Sequence, residues 1–171
     1  MDRTIVVKGS CHEIACAVIK DGRSPAGEAL NQLTQGMWEA DPDAETLPDD
    51  AQISDADLFL TGLEFFANNG VPHSPSVKMN SLNYGIWEFK VRRKRFSFYE
   101  TDGRGGKFDT RKITDRDQSL DPYDEYFWHV PDFQKLIRLG HCFGKDTQST
   151  TDKDLRRCRQ VRQEDLEHDR G

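Results

Sequence analysis

The chain has 171 residues and a mean hydropathy of −0.80, with 35% hydrophobic and 32% charged residues. This length is typical of one ordinary domain and excludes two full-sized ones, so we expect a single domain over residues 1–171. No apolar run approaches the roughly 20 residues that cross a bilayer, and residues 1–10 lack the apolar segment of a secretory signal. The four cysteines form no paired motif, which is typical of reduced thiols. We therefore expect a cytoplasmic protein with no membrane partner.

Charge is distributed unevenly along the chain, although the net charge is only −6. Residues 1–75 contain 13 acidic and 4 basic side chains, a net charge of −9. Residues 76–145 contain 10 acidic and 14 basic side chains, a net charge of +4. Because surplus lysine and arginine bind a phosphate backbone, this basic segment indicates an anionic partner that the overall composition conceals.

Two short apolar segments at the start of the chain, residues 4–8 and 13–19, predict β-strands because each is too short for a helix. Ser24 followed by Pro25 is a helix-start signal. Apolar residues at spacings of three and four then predict a helix over about 24–39.

The acidic, proline-containing residues 41–50 predict an exposed loop. A second helix is expected to begin near Ser54 and to stop at residues 68–70. Its predicted buried face consists of Leu58, Leu60, Leu63, Phe65 and Phe66. The prolines of residues 71–75 predict an extended segment.

Alternating polar and apolar residues over 85–91 and 95–99 predict a β-hairpin with a basic turn. Residues 102–132 are glycine-rich and charged, then aromatic, and indicate an insertion. A further strand is expected over 135–144, and a capped polar helix over 151–168. The elements together predict an α+β domain, with a small antiparallel sheet, two helices in the N-terminal half and one C-terminal helix.

Five cations occupy the tip of the predicted hairpin: Lys90, Arg92, Arg93, Lys94 and Arg95. One interpretation is a solvated turn, kept polar to blunt the end of the hairpin. The other is a cluster that neutralises phosphates, for which the planar arginine side chain is well suited.

A second group of chemically suitable side chains, Arg138, His141 and Lys145, follows in the next strand and its exit. Histidine titrates near neutrality without help. Cleavage of an RNA strand requires a base for the 2′-hydroxyl proton, cations for the developing charge and an acid for the leaving oxygen. Together with the hairpin cations, these residues predict a site for an anionic substrate that uses no metal and no cofactor.

Two motif blocks resemble those of a known protein family. The first is the strand GIWEFKV at 85–91 with RFSFY at 95–99, and the second is LGHCFGKDTQST at 139–150, before a polar helix. In this order they resemble the RelE/HigB toxin superfamily, and most closely its phage-derived branch. The match spans residues 12–101 and 134–169 in the order of elements. The resemblance implies a small curved antiparallel sheet with helices packed on one side, in a toxin that cleaves mRNA on the ribosome.

On the matching positions, the resemblance implies that Lys90 and Arg92 contact phosphates and that Thr147 lies in the RNA-binding segment. It implies His141 as general base or acid and Lys145 as the group that stabilises the transition state. The implied partners are the ribosome, mRNA and a cognate antitoxin, commonly a helix-turn-helix protein.

The chain departs from the family pattern at three positions. Asp146 and Ser149 stand where the pattern has lysines, Thr151 stands where it often has proline, and residues 102–132 have no counterpart. These departures and the acidic N-terminal third favour an alternative, a non-enzymatic protein on the same scaffold. Such a protein would be a gyrase-directed toxin of the ParE type or a phage protein that binds a host target. A third possibility is a structural or regulatory module with no toxic activity.

Overall fold

Six strands and three helices occupy the part of the chain that the structure describes, residues 3–38, 49–71, 77–113, 130–145 and 150–171 of a computed structural model. In chain order they are β1 Ile5–Lys8, β2 Glu13–Cys16, α1 Pro25–Thr34, α2 Asp49–Asn69, β3 Lys78–Ser81, β4 Ile86–Val91, β5 Lys94–Thr101, β6 Leu136–Gly144 and α3 Asp152–Asp169. The predicted α+β class is confirmed. Within the described ranges, no helix is both long and apolar enough to cross a membrane.

The six strands form one sheet in the order β1-β2-β6-β5-β4-β3. Strand β6 lies between β2 and β5, antiparallel to β5 and parallel to β2, and the other neighbours are antiparallel. The sheet is therefore mixed, and the prediction of an antiparallel sheet is wrong at this one pairing. The hydrophobic pattern of a short strand gives its faces but not the direction of a partner that lies more than 100 residues away in sequence.

Both faces of the sheet carry helices, whereas the resemblance implied helices on one side. Helices α1 and α2 cover the first face, where stacked and edge-on aromatic rings form the centre of the main core: Phe59, Phe66, Phe89, Phe96 and Phe98. Helix α3 covers part of the second face, where Val161 and Leu166 pack against Tyr99. A second apolar cluster, Ile86 with Phe143 and Cys158, continues on that face.

Helices α1 and α3 start at their predicted capping residues, Ser24 and Thr151, and α1 ends where the backbone conformation changes. Ser24 caps α1 by accepting a hydrogen bond from the Gly27 amide at 3.4 Å, as predicted. The helix ends at Thr34, before the predicted 39, because Gly36 adopts a left-handed conformation with φ of +84°.

Helix α2 begins at Asp49, five residues before the predicted start at Ser54. Its buried face includes Phe59, whereas Phe65 of the predicted face is 38% exposed. Residues 68–70 end it as predicted.

The hairpin of β4 and β5 is confirmed, with Lys90 opposite Arg95. Strand β3 is an element that the sequence did not predict, because its four residues are mostly polar. Residues 102–113 contain no helix or strand beyond one bridge between Thr101 and Lys107. The predictions for residues 41–48, 72–76 and 114–129 lie outside the described residues.

A buried carboxylate attaches α3 to the sheet. Asp165 is fully buried and accepts hydrogen bonds from the Val18 amide at 2.8 Å, from Arg138 at 2.9 Å and from the Tyr99 hydroxyl. Arg3 pairs with the same carboxylate. Four donors thus satisfy one buried charge, which is the condition under which such a charge is tolerated in a protein interior.

We expect Asp165→Asn to destabilise the fold by about 3–5 kcal/mol, because it removes the buried negative charge that Arg3 and Arg138 share. The free energy of unfolding in urea measures this. Glu167→Gln, at an exposed position on the same helix, is the matched control and should change stability by less than about 0.5 kcal/mol. Equal stability of the two variants would contradict this role of Asp165.

Candidate functional site

Three cations stand side by side across the second face of the sheet. The strand register places Lys78 of β3 opposite Lys90 of β4, and Lys90 opposite Arg95 of β5. Residues paired in this way share a face, and neighbouring strands are about 4.8 Å apart. We name Lys78, Lys90 and Arg95 the basic row. Phe143 of β6, opposite Arg95, continues it.

A fourth cation and one carboxylate complete the cluster. Lys145 leaves the end of β6, and its Nζ lies 3.0 Å from Oε1 of Glu88 in β4. Arg95 Nε is 3.9 Å from the same oxygen. We call the basic row together with Lys145 the basic face. Glu88 is its carboxylate partner and is 1% exposed.

On the basic face, like charges lie opposite each other. Like charges directly opposite each other on a sheet destabilise it. Burial lowers the pKa of Lys90, and the adjacent charges of Arg95 and Lys78 lower it further. In the part of the chain that is described, the second carboxylate oxygen of Glu88 and Nε of Arg95 are buried without a hydrogen-bond partner. An arrangement of this kind favours the binding of an anion, which would reduce the repulsion between the cations.

His141 lies beside the basic face, on the same side of the sheet. Its Nε2 is 2.8 Å from Oδ1 of Asp154 in the first turn of α3. Its ring stacks on Phe143, with 5.4 Å between the ring centroids. With the Nε2 proton donated to Asp154, the lone pair of the ring is on Nδ1. Asp154 is itself held by the Thr151 hydroxyl at 2.9 Å, so it fixes the orientation of the imidazole.

The charge state of His141 depends on opposing influences. Burial lowers its pKa, Asp154 raises it, and the nearby cations Arg157 and Lys153 lower it again. The net direction is downward. His141 is therefore neutral near pH 7 and can accept a proton.

A β-bulge positions His141. Phe96 pairs with Cys142 and Phe98 pairs with Leu139, so β6 has one more residue than β5 between these pairs. Leu139 and Cys142 consequently both face the main core under α1 and α2, although they are three residues apart. The extra residue lets His141 and Phe143 lie on the second face, a use of bulges that is common near functional sites.

Two of the predicted cations lie elsewhere. Arg92 and Lys94 each place a nitrogen 2.7 Å from an oxygen of Asp55, a fully buried residue of α2 on the first face. Lys94 is buried and lies over the ring of Trp38 at 5.8 Å. Arg92 occupies the hairpin turn with φ of +53°. The structure thus gives both residues an ion pair that connects the hairpin to α2.

The remaining predicted residues are dispersed. Arg138 lies on the second face but pairs with Asp165 and with Asp169, at 2.9 and 3.0 Å, near the C-terminal end of α3. Arg93 is in the hairpin turn, where its carbonyl accepts a hydrogen bond from the Lys145 amide at 3.0 Å. Thr147 lies outside the described residues. The structure therefore brings together Lys90, Arg95, His141 and Lys145.

Three residues of the cluster were not predicted as site residues: Lys78, Glu88 and Asp154. Lys78 belongs to the unpredicted strand β3. Glu88 alternates with Lys90 in the sequence, which placed it on the same face but gave no indication that it is buried. Asp154 was interpreted only as part of the helix cap. Among the described residues, no group of three or more His, Cys, Asp or Glu side chains is arranged to hold a metal ion.

We expect Glu88→Gln to lower the melting temperature, with a loss of about 1–3 kcal/mol, because it removes the carboxylate that compensates the basic face. Added sulfate should raise the melting temperature of this variant more than that of the wild type. Asp57→Asn removes one negative charge from an exposed position of α2 and serves as the control. If sulfate raises the melting temperatures of Glu88→Gln and the control equally, the basic face is not an anion site.

The lowered pKa of His141 predicts a pH effect of definite sign. Between its folded pKa and its unfolded value of 6.5, the unfolded state binds more protons, so this histidine's contribution to stability falls as pH falls. His141→Gln lacks that contribution. The stability difference between wild type and variant should therefore shrink from about pH 7.5 to about pH 5.5, measured by urea unfolding. A difference that grows over this range would mean that the pair with Asp154 outweighs burial.

Comparisons with protein-family models, with curated proteins and with solved structures find no match for this chain. The resemblance to the RelE/HigB superfamily therefore stays a prediction from the sequence motifs.

Proposed function

We propose that this chain binds RNA on its basic face and cleaves the RNA backbone without a metal ion, as an mRNA endoribonuclease. The observation that carries the proposal is the basic row, three cations in register across three strands, with the imidazole of His141 beside it on the same face. Cations grouped on one face of a sheet attract a polyanion, whose phosphates would reduce the repulsion between them.

The chemistry assigned to the residues follows from their protonation states. Nδ1 of His141 accepts the proton of a ribose 2′-hydroxyl, and the 2′-oxygen attacks the adjacent phosphorus. The bond between phosphorus and the 5′-oxygen breaks, and that oxygen takes a proton. Lys90, whose pKa is lowered, is the candidate donor. Lys145 stabilises the charge that develops on the phosphoryl oxygens, and Arg95, which is buried beside Glu88, adds its positive charge from within the fold.

The sequence motifs refine the proposal. They favour a toxin of a toxin–antitoxin system that cuts mRNA on the ribosome, in the cytoplasm, and that a helix-turn-helix antitoxin neutralises. In that assignment the ribosome would position the mRNA on the basic face, and the few groups of this site would be enough for the chemistry.

A second candidate is binding without cleavage, as in a ParE-like gyrase inhibitor or a protein that captures a host target. Two observations favour it: Nε2 of His141 is already engaged by Asp154, and the side chain of Lys145 is only 10% exposed. The basic face would then attach to an anionic surface and perform no proton transfer.

Expression in a bacterium, with mapping of mRNA 5′ ends shortly after induction, tests the proposal. The wild type should arrest growth and generate new 5′ ends inside translated reading frames. His141→Gln should reduce cleavage by about 10²- to 10⁴-fold, the usual contribution of a general base. His168→Gln changes a histidine in the last turn of α3, away from the basic face, and should cleave like the wild type.

The other outcomes are distinct. Growth arrest without new 5′ ends would contradict the nuclease and support the binding candidate. Cleavage that persists in His141→Gln would refute the role of this histidine, and normal growth with intact mRNA would refute both toxin proposals.

A further inference from the structure

Tyr84 is the most exposed large apolar side chain among the described residues, with 68% of its surface accessible. It lies in the turn that joins β3 to β4. The guanidinium carbon of Arg159 in α3 lies 5.7 Å from the centroid of its ring. The ring is thus largely exposed to solvent, although Arg159 makes a cation–π contact with it.

The backbone that carries this ring is in a strained conformation. Asn83, Tyr84 and Gly85 have φ values of +69°, +58° and +78°, a left-handed conformation that bulky residues rarely adopt. The Arg162 side chain donates a hydrogen bond to the Tyr84 carbonyl at 2.6 Å and fixes the turn. Asparagine or glycine would suit the position of Tyr84 better, so the aromatic ring is not explained by the conformation. Such strain is commonly found at functional sites.

A groove of about 420 Å³ adjoins the ring. Ser81, Asn83 and Tyr84 line one side, and residues 109–112 line the other. Arg111 and Lys112 are exposed within this lining, and the amide of Asn83 and the hydroxyl of Ser81 offer hydrogen-bonding groups. The groove also contains the carboxylate of Asp109, which lies 3.7 Å from Lys107 Nζ. Its aromatic surface, polar groups and two cations are the requirements of a stacked nucleotide.

We propose that Tyr84 and this groove bind one unpaired base of a single-stranded RNA, with the base stacked on the tyrosine ring and its phosphate near Arg111 and Lys112. The inference rests on the proposed function, because it assigns a second contact to the same RNA. Lys90 and Tyr84 are six positions apart, roughly 20 Å along the β3–β4 ribbon. The RNA therefore spans several nucleotides from the basic face to the groove.

Binding of two labelled oligomers of about ten nucleotides tests the inference. One is single-stranded RNA and the other is an abasic strand with the same sugars and phosphates. Tyr84→Asn removes the ring and retains a residue that tolerates positive φ. It should weaken RNA binding about 5- to 150-fold and leave binding of the abasic strand unchanged. Tyr84→Phe keeps the ring and should bind RNA like the wild type.

Lys90→Gln separates the inference from the proposed function, because it should weaken binding of both oligomers. If Tyr84→Asn binds RNA as the wild type does, or weakens both oligomers equally, the base-binding role of Tyr84 is refuted while phosphate binding stands. If the wild type binds neither oligomer, the inference fails, whereas the proposed function is still decided by the mapping of mRNA 5′ ends. Melting temperatures equal to that of the wild type verify that the variants are folded.

Discussion

The buried carboxylate of Asp165 determines where α3 lies, and the rest of the second face follows from that position. Apolar residues are sparse on this helix, so ion pairs with Arg3 and Arg138 and the hydrogen bond from Tyr99 attach its C-terminal half. Asp154 attaches its first turn to His141. The helix therefore runs antiparallel to β6. The basic face lies on β3, β4 and β5 and at the end of β6, where its cations group around Glu88.

The cations of the hairpin have different surroundings on the two faces of the sheet. On the first face, Asp55 neutralises Arg92 and Lys94, and the result is an ion-paired connection to α2. On the second face, Lys78, Lys90 and Arg95 lie opposite one another. Lys145 and Arg95 both lie beside the carboxylate of Glu88. A basic cluster that looks uniform in the sequence is thus divided into a structural part and a part that favours a ligand.

The sequence predicted what period and capping control: the hairpin, the capped start of α1, the end of α2, and α3 to within one residue at each end. It failed where tertiary context decides. Arg92 was expected to contact phosphates together with Lys90, but the strand ends at Val91 and Arg92 lies in the turn. Strand β3 has too few apolar residues to be predicted, so Lys78 was missed, and the parallel pairing of β6 depends on contacts between distant parts of the chain.

Glu88 affects how long an anion stays bound on the basic face. A carboxylate fixed among the cations acts as an internal counterion, and any phosphate that arrives must share them with it. Because Glu88 already neutralises part of the positive charge of Arg95 and Lys145, a bound phosphate is held less tightly and dissociates sooner. A site without this residue would hold a bound phosphate longer, so in the proposed nuclease Glu88 would shorten the time spent on each RNA.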